Sequence, residues 1–260
     1  MTTPHRFDHY SAGLEAAVRH HPDLIGLSLM GSASEAGAPR RDEWSDHDFF
    51  AFVAPGRGSA LRPDLSWLPD QEHLAMTAQE NPLGFVAIYD DGHVFEFAVA
   101  EVSELAGALA TDASVVVDAD GSVATMVAAA QDRARQADRF DAATDARLVL
   151  VKLLIGIGRA RRGEVLTAGL FVRTWAVQHL VRALRGRLEE PATTLRDIID
   201  PVRRIEHDLP EHAAAIAAAL EQPVEEAGRT LFALTREWLE PGWDEFPSRA
   251  ADAVATRLGW

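Results

Sequence analysis

The sequence predicts an α+β fold, with a mixed β-sheet domain over residues 1–120 followed by an α-helical bundle over 121–260. Two observations carry this expectation. The first stretch mixes short apolar runs with turn residues, as strands joined by loops do. The second is rich in Ala, Leu, Arg and Glu, with apolar residues spaced near 3.6.

Taken in order, residues 7–20 read as a helix and LIGLSLM at 24–30 as a strand. HDFFAFVA at 47–54 gives a second strand, followed by a loop-and-helix segment rich in Pro, Asp and Trp. GFVAIYDDGHVFEFAVA at 84–100 has apolar runs on both sides of Asp91-Gly92, which signals a hairpin. SVVVDAD at 114–120 adds a short strand, and Ala119–Ser122 reads as a hinge. Helices are expected at 144–162, 167–187 and 224–240, in a bundle of roughly five. Pro191, Pro201, Pro210, Pro223 and Pro241 punctuate that region, and Trp175, Trp238 and Trp243 are expected in its core.

Composition narrows the function. The chain has 260 residues, a formal net charge of −15 and no cysteine, which excludes disulfides and thiolate metal sites. The N-terminus lacks the pattern of a signal peptide, and LVLVKLLIGIG at 148–158 is too short to span a bilayer. A cytoplasmic protein without a membrane partner is expected. The acidic balance repels a nucleic-acid backbone and favours cationic ligands, while still permitting a nucleotide bridged by Mg²⁺.

The chemistry concentrates in GSASEAGAPRRDEWSDHD at 31–48. Alternation along a strand puts Asp46 and Asp48 on one side and His47 on the other. On the hairpin strand, Glu96 shares a face with Val94 and Ala98, opposite Phe95, Phe97 and Val99. If that strand lies beside 47–54, three carboxylates converge and require a cation, for which Mg²⁺ is suited. Gly31 permits close backbone approach, and N–H groups with the Ser32 hydroxyl suit phosphate oxygens.

Apolar-Gly-Ser, a gap, Asp-x-Asp and a later acidic strand residue resemble the signature of the DNA polymerase β-like nucleotidyltransferase superfamily. The match covers about residues 24–100. GRARRGEVLTAGLFVRTWAVQHLVRAL at 158–184 resembles, more loosely, the helical half of aminoglycoside and lincosamide adenylyltransferases. The resemblance implies that Gly31 and Ser32 hold the triphosphate of ATP and that Asp46 and Asp48 ligate Mg²⁺. It makes Glu96 a third ligand or the base that deprotonates the acceptor. The gap is at the long end of the family pattern, and Glu stands where Asp is commoner.

Other residues carry competing readings. Lys152, the single lysine against 24 arginines, either reaches nucleotide phosphates or snorkels at a helix edge. Glu164 either receives a cationic substrate or serves a helix N-terminus. Trp44 reads as a core or rim residue, with stacking on a base or sugar as the alternative. His47 reads as structural and Glu101 as exposed.

The expected activity is Mg²⁺-dependent transfer of AMP from ATP to a hydroxyl of a small molecule, an antibiotic such as an aminoglycoside or lincosamide. The alternatives are a nucleotidyltransferase of the toxin–antitoxin type that modifies a protein or tRNA, and a non-catalytic nucleotide-binding protein. Some members of the family build the acceptor site across a homodimer, so that assembly stays open.

Overall fold

A computed structural model describes residues 3–137, 140–188, 197 and 199–260, with the side chains of 3–5 excepted. Pro191 lies outside the described residues. The chain divides into two compact units, 1–137 and 138–260, downstream of the hinge expected at 119–122. It is an α+β protein, with a mixed sheet followed by a run of helices.

The first unit begins with α1 (Thr3–His20), β1 (Leu24–Met30), β2 (His47–Val53) and the short α2 (Gly58–Leu61). It continues with β3 (Leu74–Gln79), β4 (Gly84–Tyr89), β5 (Val94–Glu101), β6 (Ala113–Asp118) and α3 (Ser122–Ala137). The strands form one six-stranded sheet in the order β3-β4-β5-β2-β1-β6. Every pairing is antiparallel except β2 with β5, which is parallel.

Period-2 alternation sorts the strand residues between two layers. On one face Phe49, Ala51, Phe95 and Phe97 bury against Phe7, Tyr10, Leu14 and Val18 of α1. Phe49 and Phe97 stack with ring centroids 4.8 Å apart and planes nearly parallel. On the other face Phe52 and Ala100 bury with Val123, Met126, Val127 and Ala130 of α3. The Ala-rich α3, which sequence texture assigned to the bundle, therefore packs on the sheet. The segment before β4 was expected to be loop and helix, yet it contains β3, an edge strand exposed over most of its length.

The second unit contains α4 (Ala142–Arg161), α5 (Val165–Gly169), a π-helical stretch (Leu170–Ala176) and α6 (Val177–Arg187). It ends with α7 (Ile205–Asp208), α8 (Pro210–Leu220), α9 (Val224–Leu239) and α10 (Ser248–Leu258). Asp141 caps α4, its carboxylate accepting from the Thr144 amide. Gly163 adopts the left-handed conformation that ends α4 and turns the chain into α5. Val149, Leu153, Ile157, Leu180, Leu184 and Leu231 form the centre of this core. Trp238 and Trp243 are packed at its margin. Trp175, expected inside, is 37% exposed and lies edge-on against the half-buried Phe171 in the π-helical stretch. Among the described residues no helix is long and apolar enough to cross a membrane.

A polar pair lies within the aromatic layer of the first unit. His47 and His93 are buried and share a hydrogen bond from Nδ1 to Nε2 of 2.6 Å. Burial holds His93 down to about 4 and His47 further still, to about 2, with the neighbouring imidazole adding to the shift on His47. Both rings are neutral at pH 7 in the fold, whereas in the unfolded chain they take up protons near pH 6.5. The unfolded state therefore binds more protons at acidic pH. The stability contribution is complete above about pH 6.5 and declines as the pH falls toward 4. Thermal melts between pH 7.5 and 4.5 are expected to show a falling midpoint across this window. The double variant H47F/H93F is expected to flatten that fall.

Candidate active site

The candidate site lies at the N-terminal ends of β2 and β5. Because these strands run in parallel with Asp48 level with Glu96, both side chains belong to the sheet face opposite His47. Farther along, that face is covered by α3, but at this end Glu96 is exposed and Asp48 half-buried. Asp46 is half-buried and immediately precedes β2, outside the strand ladder.

The Gly-Ser turn meets this pair directly. Met30, the last residue of β1, is paired with Asp48, so the turn that follows emerges beside the carboxylate. Gly31 has a φ of +50°, a left-handed conformation that favours glycine. A Cβ placed there would come 3.1 Å from Oδ2 of Asp48. The Ser32 hydroxyl donates to the Asp46 carbonyl at 3.2 Å, joining the turn to the entrance of β2.

Further contacts build the turn. The Gly31 N–H donates to the Asp112 carbonyl at 2.9 Å, so glycine serves conformation and close approach here and its amide is already engaged. The buried Ser34 hydroxyl donates to the Gly31 carbonyl at 2.7 Å and accepts from the Gly37 amide at 3.0 Å. Gly37 packs so tightly that an added Cβ would lie 1.8 Å from the Gly31 oxygen. Arg41 Nε donates to the Ser32 carbonyl at 3.1 Å, and its guanidinium sits 4.0 Å from the centre of the Phe7 ring.

The structure thus joins Gly31, Ser32, Asp46, Asp48 and Glu96 in one region of the first unit. Lys152 belongs to the second unit, on α4, with its ammonium 5.5 Å from the Trp175 ring and 5.9 Å from Phe171. Glu164, one candidate for a cationic substrate, is engaged by Arg159 and Arg162 at the start of α5. Glu101 has a structural role, accepting from the Gly58 amide and forming a reciprocal cap with Glu104. Trp44 is 85% exposed, which places it on the surface and not in the core. Its loop is braced by Asp42, whose carboxylate accepts from the Trp44 amide at 2.9 Å.

Sequence reasoning missed Ser34, Gly37, Arg41 and His93. Only His93 had a legible signal, since it shares the period-2 face of Phe95 and Phe97.

Among the described residues no three carboxylate or imidazole side chains form a ready-made metal cage. The donor set nevertheless fits Mg²⁺, which binds through one or two carboxylates together with water and substrate phosphates. Asp46 and Asp48 supply two such hard oxygen donors beside the turn.

No family model and no curated protein matches this chain. Among solved structures, the crystal structure of an aminoglycoside 6-adenyltransferase from Bacillus subtilis matches at 14% identity. The match covers 96% of this chain and 90% of that one, at a TM-score of 0.27. A likeness of that size carries no argument about this chain's reaction.

The turn's packing gives a direct test. Gly37→Ala is expected to destabilise the protein by about 1–3 kcal/mol, the range for overpacking against backbone. Gly169→Ala, with open space around it in α5, is expected to be neutral or stabilising by up to about 1 kcal/mol. Urea unfolding of both variants checks the contrast.

Proposed function

We propose that this chain is a Mg²⁺-dependent nucleotidyltransferase that moves AMP from ATP to a hydroxyl of a small molecule. The observation that carries this reading is the placement of Asp48 level with Glu96 on adjacent parallel strands, with the Gly31 turn against the Asp48 carboxylate. Hard oxygen donors at the start of neighbouring strands suit a divalent cation that bridges carboxylates to the phosphates of a nucleotide.

In this reading Asp46 and Asp48 hold Mg²⁺, and the Gly31-Ser32 turn lies along the triphosphate. The bound metal supplies charge neutralisation for the phosphate oxygens. The acceptor oxygen attacks the α-phosphorus, the bond from that phosphorus to the β-phosphate bridging oxygen breaks, and pyrophosphate leaves. Glu96 takes the acceptor proton. Its exposure leaves it accessible to an incoming hydroxyl. Positioning and electrostatics supply most of the acceleration in such phosphoryl chemistry. The net charge of −15 favours a cationic acceptor such as an aminoglycoside, with lincosamides next.

Mass spectrometry of an aminoglycoside and lincosamide panel incubated with protein, ATP and Mg²⁺ tests the reading. One compound is expected to gain an AMP, and Asp46→Asn and Asp48→Asn are each expected to lower turnover at least 100-fold, on the order of a lost electrostatic catalytic group, while remaining folded. Near-full turnover by either variant contradicts the metal assignment. For Glu96→Gln, retained Mg²⁺·ATP binding with lost transfer is expected; loss of that binding would make Glu96 a ligand instead of the base.

A further inference from the structure

His47 occupies a place where an apolar ring would be expected. It is fully buried on the aromatic face of the sheet, among Phe7, Tyr10 and Phe95. An imidazole there loses its hydration, a cost offset only if its nitrogens find partners. Both do: Nε2 shares a hydrogen bond with the Ser11 hydroxyl at 2.8 Å and Nδ1 with His93 Nε2 at 2.6 Å.

Those partners come from two different elements. Ser11 is on α1, and His93 immediately precedes β5, three residues before Glu96. The His93 ring stacks on Tyr10 at 4.8 Å, and its amide donates to Asp91. One imidazole therefore ties α1, β2 and the start of β5 together at the level of the carboxylates. The same column reaches the Gly-Ser turn: the Phe7 ring lies 3.8 Å from His47 and 4.0 Å from the Arg41 guanidinium, which holds the Ser32 carbonyl.

The need for such an anchor follows from where Asp46 sits. It precedes the first paired residue of β2, so the ladder does not fix it. Its position depends on its neighbours, Ser32 through the carbonyl and His47 through the chain. An anchored His47 also commits Asp48 to the opposite face. We propose that His47, held by Ser11 and His93, is a positioning residue that sets Asp46 and Asp48 relative to Glu96 for binding the metal–triphosphate. This rests on the nucleotidyltransferase reading and deepens it.

Calorimetric titration of Mg²⁺·ATP into wild type and His47→Phe, well below both melting midpoints, tests the inference. Phe keeps the buried ring and removes both hydrogen bonds. The affinity is expected to drop about 10-fold or more, as for residues that orient metal ligands. The double variant H47F/H93F removes the orphaned His93 nitrogen, and its affinity is expected to stay low. A purely structural role predicts otherwise: melting midpoints change while affinity does not, or the double variant restores it. Either result overturns the inference. If His47→Phe does not fold, Ser11→Ala decides, with weaker Mg²⁺·ATP binding expected and wild-type affinity overturning the proposal. Wild type that fails to bind Mg²⁺·ATP removes the nucleotidyltransferase reading and the inference with it. Equal binding by wild type and His47→Phe removes the inference alone.

Discussion

The parallel pairing of β2 with β5 is the constraint on which the candidate site depends. An antiparallel partner in that place could not bring the start of one strand level with the start of the other. In this arrangement residue 48 lies beside residue 96, and the two strands present a carboxylate each at the same end of one face. Parallel neighbours need a crossover of a dozen residues or more, and the segment from Ala54 to His93 supplies it with α2, β3 and β4. The β3–β4 hairpin, with β3 exposed and β4 half in the core, is thus part of the route that returns the chain in the right direction.

The two faces of the sheet do different work. The α1 face is aromatic and buried, with Phe7, Tyr10 and Phe95 around one pair of imidazoles. The α3 face is covered over part of its area, leaving the strand starts beyond it to acidic groups. The Asp-His-Asp triplet spans both environments, with its central residue inside and its neighbours partly in solvent. Alternation puts His47 and Asp48 on opposite faces of the sheet, while Asp46 lies just before the first paired residue.

Much of this was legible in the sequence. LIGLSLM coincides with β1, HDFFAFV with β2, and the Asp91-Gly92 turn with the β4–β5 hairpin, because each strand is a short apolar run bounded by clear turn residues. The faces of His47 and Glu96 followed from the alternation of side chains along a strand. The parallel sense of β2 and β5 could only be posed as a condition, since a strand's pattern says which face is buried but not which strand lies beside it. β3 was missed because LAMTAQ is an exposed edge segment without strong alternation. α3 was assigned to the bundle because an Ala-rich amphipathic helix does not reveal what covers its apolar side. The braces around the Gly-Ser turn escaped as well, since Ser34, Gly37 and Arg41 act through contacts that no spacing encodes.

The central claim is that Asp46 and Asp48 hold a divalent ion beside the Gly31-Ser32 turn. Crystals grown with Mn²⁺ and a non-hydrolysable ATP analogue, measured at the manganese absorption edge, test it most directly. The account predicts an anomalous peak coordinated by both aspartates and by phosphate oxygens of the analogue. A fully occupied analogue whose metal lies away from both carboxylates would contradict it.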